Sequence, residues 1–158
     1  LAMPAAAEPA LTDAQIAQIA YTAGEIDIAA ADQALKQSKS PEVVAFAEQM
    51  ARDHAAVNEQ ALALLARLGV KPEASDTSAA LEAAAKAKSD ELAALDGAAF
   101  DAAYIANEVA YHRLVNQTLS GTLIPAAQNA EFKALLETGL TLFTEHQLHA
   151  ERLAATLE

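Results

Sequence analysis

Cysteine and tryptophan are both missing from the 158-residue chain, and only 4% of its side chains are aromatic. The first absence excludes disulfides, thiolate metal sites and thiol nucleophiles together. It suits an oxidising compartment, where a free thiol is a liability. Glycine and proline number only five each, so few positions force the backbone to turn. Cations are scarce too: ten Lys and Arg face 22 Asp and Glu, for a net charge of −12. Nucleic-acid binding needs clustered basic side chains that displace counterions, and no such cluster occurs. An anionic bilayer surface repels such a chain, and no apolar run approaches the roughly 18 residues of a membrane span. The acidity confers solubility and a mild attraction for cations.

What the chain does have is alanine, which makes up much of the 53% hydrophobic content. Alanine is the best helix former, and Val, Ile and Thr never alternate in a run that reads as a strand. The fold class is all-α. Residues 1–10 are small, proline-containing and aperiodic, and read as a flexible N-terminal segment. They match a signal-peptide remnant or the mature N-terminus of an exported protein, which places the chain in the periplasm or outside the cell. Residues 11–158 are long enough to bury one core and read as a single domain.

Helix punctuation orders that domain. Thr12 to Gln15 form a capping box that opens a helix running to about Ser38. Ser40-Pro41-Glu42 supplies a cap, a proline at the first helical position and an acid in the first turn. The second helix then runs to Leu68, with Gly69 as its stop. A link of two or three residues makes these helices antiparallel neighbours. After a turn-rich stretch at 69–77 comes a short, mostly polar helix at about 78–95. A third long helix spans about 98–120, ended by Gly121 and Pro125, and a fourth runs from about Asn129 almost to Glu158. The pattern predicts a ferritin-like antiparallel four-helix bundle with one long crossover containing a short extra helix.

Helical phase puts ionisable groups on the apolar faces. His54 sits in the middle of the second helix's stripe (Val43, Ala47, Met50, Val57, Ala61, Leu65, Leu68), with Asn58 one turn later. Glu108 lies between Tyr104 and Tyr111 with His112 beside it, and His146 is central in the fourth helix. In the first helix Asp27 points into the arc of Ile16, Ile19, Ala23, Ile28, Ala31 and Leu35, whereas Glu25 falls on the polar side. Burying such groups without partners costs on the order of 1–3 kcal/mol each. Neutral imidazole and carboxylate are good donors for a divalent transition metal (Zn, Cu, Fe or Mn), and bundle interiors are where such sites are built.

Two features count against a standard site. The di-iron pattern Glu-x-x-His is not encoded, because Ala51 and Phe143 occupy the glutamate positions before His54 and His146. Counting outward from the turn between the third and fourth helices also leaves His146 nearer in height to Asp101 and Tyr104 than to His112. One site using all three histidines therefore needs a bent or offset turn. Asp53 falls on the rim beside a cation, His149 on the flank, and Tyr21, Tyr104 and Tyr111 read as core packing. His54-Ala-Ala-Val57-Asn58 recurs as His112-Arg-Leu-Val115-Asn116. No nucleophile elbow, phosphate loop or dinucleotide fingerprint occurs, which argues against a hydrolase or transferase.

The order of motifs is Gly24-Glu25-Ile26-Asp27, Met50-Ala-Arg-Asp53-His54, Gly97-Ala-Ala-Phe100-Asp101-Ala-Ala-Tyr104, Glu108-Val-Ala-Tyr-His112 and a late His146. In this the chain resembles the bacterial exported family called domain of unknown function 4142. The resemblance implies an α-helical ferritin-like fold, export and no assigned activity. It matches His54, His112 and His146 to the family's histidines and Glu25 to its first-helix glutamate, whereas helical phase selects Asp27. Two functions are compatible with these residues. One is an exported bundle that binds a transition metal for sequestration, stress protection or redox chemistry. The other is a structural or interaction protein of the cell envelope, self-associating as a homo-oligomer, with purely structural histidines.

Overall fold

The computed structural model describes residues 9–157, and within them the chain is all-α. Residues 1–8 of the N-terminal segment lie outside the described residues. Helix α1 (Asp13–Gln37) starts at the expected capping box, with Thr12 accepting from the Gln15 amide and the Gln15 side chain accepting from the Thr12 amide. Helix α2 (Pro41–Leu68) starts at Ser40 and ends at Gly69, whose φ of +70° is strained for any residue with a Cβ. Helix α3 (Asp76–Ala93) is the short polar one, and α4 (Gly97–Thr118) follows it at once.

The end of α4 differs from expectation. Instead of stopping near Ser120, the chain winds through a π-helical segment, Leu119–Leu123, into one further turn, α5 (Ile124–Ala126), before α6 (Ala130–Thr156). The Ile124 N–H donates to the Leu119 carbonyl, five residues back. This wider turn lets Pro125, which has no N–H, begin a new turn rather than end the helix. The change resets the register. At 1.5 Å per residue His112 lies about 21 Å from Ala126, and His146 about 24 Å from Ala130, so both reach similar heights.

Helices α1 and α2 form one hairpin and α4 with α6 the other; α2 packs against α6 and α1 against α4, while α3 lies along α1. Apolar side chains collect at two ends of this assembly. One cluster joins Ala31, Val43, Phe46, Met50, Phe100, Tyr104, Ala150 and Leu153. The other joins Ile16, Ile19, Leu65, Leu119, Leu123, Phe132, Leu136 and Phe143. Leu35 departs from its assigned arc: it is 38% exposed, and Ala34 takes the buried position. Between the two clusters lie the buried ionisable residues Asp27, His54, Glu108, His112 and His146, together with Thr22, Asn58 and Asn116.

Candidate metal centre

Asp27 of α1, His54 of α2, Glu108 and His112 of α4, and His146 of α6 are each at most 3% exposed. One ring nitrogen from each of His54, His112 and His146 lies within 4.8 Å of the other two. Asp27, Glu108 and His112 form a second group within the same limit, so His112 belongs to both. The ring centroids are 5.6 Å apart for His54 and His112, 5.3 Å for His54 and His146, and 5.6 Å for His112 and His146. The His54 ring is held flat against Phe143 at 4.6 Å and 9°.

Two of the rings are pinned by their outer nitrogens. His112 Nδ1 lies 3.0 Å from the Glu108 carbonyl oxygen, which can only accept, so Nδ1 carries the proton. His146 Nε2 lies 2.9 Å from Asp53 Oδ2. Asp53 is ionised: burial would raise its pKa, but its hydrogen bonds with His146 and Arg52 hold it below the usual value. His146 Nε2 is therefore also the protonated nitrogen. This leaves the lone pairs of His112 Nε2 and His146 Nδ1 facing the interior, and both atoms are buried with no hydrogen-bond partner. Second-sphere carbonyls and carboxylates orient metal-bound histidines in this manner.

The His54 ring is equally bare. Both nitrogens of His54 are buried without a hydrogen-bond partner, while the protonated Glu108 carboxyl donates to Asp27. Asp27 Oδ2 stands 2.8 Å from His54 Nε2, yet off the direction of a proper N–H bond. Burial alone would raise the Asp27 pKa, but the facing His54 and His112 hold it below the ordinary carboxylate range. Glu108 goes the other way, pushed well up by burial and then by the negative charge of Asp27. Burial lowers His112, and it lowers His146 to about 4 despite the opposing Asp53 hydrogen bond. Near neutral pH the cluster thus holds one carboxylate, one carboxylic acid and unprotonated rings on His112 and His146.

The hairpins support the cluster in parallel ways. Asn58, one turn after His54, donates to the Tyr21 carbonyl and to Glu25 Oε1 across the first hairpin. Asn116, one turn after His112, donates to the Phe143 carbonyl and to Gln147 across the second. The recurring His-x-x-x-Asn spacing has one structural role in both places. A Cβ on Gly24 would lie 2.3 Å from Asn58 Oδ1, so the glycine leaves room for the Asn58 side chain in this position. Tyr111 ties α4 to α1 by donating to the Ala23 carbonyl at 2.7 Å.

The phase-selected Asp27 thus faces His54, while Glu25, selected by resemblance, is exposed and serves Asn58. The turn has the offset that a three-histidine site requires. His149 stays apart, bonded to Gln49 and set against Phe46. Asp53 does pair with a neighbouring cation, Arg52 at 3.0 Å. Its bond to His146 went unread, because it crosses from α2 to α6 and helical phase describes one helix at a time.

Fold and site together define an all-α protein with a histidine and carboxylate cluster buried between two apolar ends. A model of the family described as domain of unknown function DUF4142 matches residues 1–153, and the chain belongs to that family. No curated protein matches it. It is similar in fold to a crystal structure described as a candidate secreted protein of DUF305 from Streptomyces coelicolor, with 15% identity and a TM-score of 0.76. That match covers 90% of this chain and 91% of the other. No helix among the described residues is long and apolar enough to cross a membrane.

Proposed function

We propose that this protein is an exported, ferritin-like four-helix bundle with one long crossover that binds a divalent transition metal between its two apolar ends. The observation that carries this reading is the concentration of partnerless lone pairs. His112 Nε2, His146 Nδ1 and the His54 ring converge in one buried place, with Asp27 and Glu108 grouped beside His112. Each uncompensated buried polar group costs about 1–3 kcal/mol, and a cation held by the three histidines would compensate their inward nitrogens at once. Three imidazoles with two carboxyl oxygens are donors of intermediate hardness, suited to Zn, Cu, Fe or Mn. With a cation bound, Glu108 could join its shell as a carboxylate, its proton released to solvent. Export is supported by the composition of residues 1–10 and the lack of cysteine, and agrees with the secreted description of the DUF305 protein. Sequestration, protection against metal stress and slow redox chemistry are the roles that such a centre serves.

Elemental analysis of protein purified without a metal-affinity tag tests the reading. One tightly held transition metal per chain is expected, lost in His112→Ala. Substoichiometric metal that exchanges freely would favour the structural role for the histidines.

A further inference from the structure

The second apolar end is not filled. A cavity of about 510 Å³ occupies it, walled by α1, α2, α4 and α6, with α3 along one side. Its wall runs from Leu65 to His54 on α2 and from Phe132 to Phe143 on α6. Eleven residues of helix in each case give a length of about 16 Å. The cause lies in the sequence. Where a packed core would place Leu or Phe, α1 contributes Ala17, Ala20 and Ala23, and α3 contributes Ala80 and Ala84. Protein interiors are close-packed, with few voids larger than a water molecule. A space of this size falls in the range of small-molecule sites.

We infer that this cavity binds a neutral, elongated apolar molecule. The wall is overwhelmingly apolar, which sets the body of the ligand. Its inner end is formed by His54 and His112. His54 is 3% exposed and neither of its nitrogens has a hydrogen-bond partner. Nε2 faces Asp27, and neither ring nitrogen has surface open to the cavity, so His54 closes the inner end without offering a hydrogen bond. Charge excludes the anionic alternatives. No Lys or Arg lies in the wall, Asp76 stands at its α3 side, and the buried Asp27 carboxylate lies behind His54. A fatty acid carboxylate would be desolvated there with no cation to meet it. The site stands whether or not the neighbouring cluster holds a metal.

The test is a fluorescence titration with two probes of one skeleton, neutral N-phenyl-1-naphthylamine and its anionic relative 8-anilinonaphthalene-1-sulfonate. The neutral probe should bind saturably, one per chain, and roughly tenfold or more tighter than the sulfonate. 1-Dodecanol should displace it, and dodecanoate should do so far less well. Ala61→Phe and Ala20→Phe, each placing a ring in the cavity, should abolish binding while far-UV circular dichroism and melting temperature stay close to wild type. Unsaturable binding, equal affinity for the sulfonate, or binding that survives both variants would overturn the inference. Should either variant misfold, the charge discrimination of the wild-type protein decides.

Discussion

The two apolar ends of the molecule are built on the same helices and packed differently. At one end Phe100 stacks on Tyr104 at 5.9 Å, Phe46 meets Tyr104 edge-on at 6.2 Å, and all three are fully buried. At the other end the helices present alanines toward one another around about 510 Å³ of space. Helix propensity does not separate the two, since alanine and leucine are both good helix formers. Side-chain volume does. The lesson is a division of labour: the aromatic end anchors the hairpins, and the alanine-lined end is free to admit a guest. The donor cluster lies at their boundary, buried between a filled end and an open one.

The comparison breaks most visibly in core truncations. Phe100→Ala should cost ~3–5 kcal/mol in a denaturant titration, since it opens a cavity in a filled end. Leu65→Ala, beside space that already exists, should cost only about 2 kcal/mol, the low end for a buried leucine. Equal losses would mean that both ends are packed alike.

Enlarging residues sharpens the same point. Ala47 is fully buried in the aromatic end, and Ala47→Leu should destabilise by about 1–3 kcal/mol through overpacking. Ala61→Leu, which points at the cavity, should be neutral or slightly stabilising. A similar penalty at both positions would contradict the assignment of the open end.

Helix α3 should be the least protected part of the helical structure in amide exchange. Only Leu92 and Ser78 are buried along it, and it buries little area over the cavity. Exchange slower in α3 than in the middle of α2 would refute that ranking.

The smallest effect concerns pH. Burial depresses His146 to about 4 and lowers His112, whereas unfolded imidazoles titrate near 6.5. Between those values the unfolded chain binds more protons than the folded one. These groups therefore leave stability intact above pH 6.5 and remove it progressively as pH falls toward 4. Glu108, kept protonated by burial, opposes them over the same range; with two rings against one carboxyl, denaturant midpoints of the metal-free protein should fall from pH 6.5 to pH 4.5. His146→Phe should flatten the slope, and an unchanged slope would show that His146 does not titrate as a buried neutral ring.

Much of this was legible in the residues, for reasons that differ by element. Thr12, Ser40 and Gly69 act locally, through side chains and φ values within one turn, and so they marked the starts of α1 and α2 and the end of α2 to within a residue or two. Apolar periodicity placed His54, His112, His146, Glu108 and Asp27 inside. Periodicity along a single helix carries no information about neighbours, so the Asp53–His146 bond could not be read. Gly121 and Pro125 misled because their ordinary meaning is a helix stop. A π-helical turn absorbs both, and with them the register mismatch that had kept His146 apart from His112. The cavity was hidden for another reason: alanine reads as apolar in every pattern, and pattern does not weigh volume.

Thermal unfolding of the metal-free protein, titrated with zinc, copper, manganese and ferrous iron at pH 7, tests the central claim most directly. Binding to the native state alone stabilises by RT ln(1 + [L]/Kd), about 2.7 kcal/mol at a hundredfold excess over Kd. At least one of these ions should raise the midpoint accordingly. His54→Ala and His112→Ala should remove most of the rise, and His149→Ala, outside the cluster, should keep it. Asp53→Asn should weaken binding by roughly 10–100-fold through the loss of the His146 anchor. A midpoint that no ion moves, or a rise that survives both His54→Ala and His112→Ala, would contradict the account.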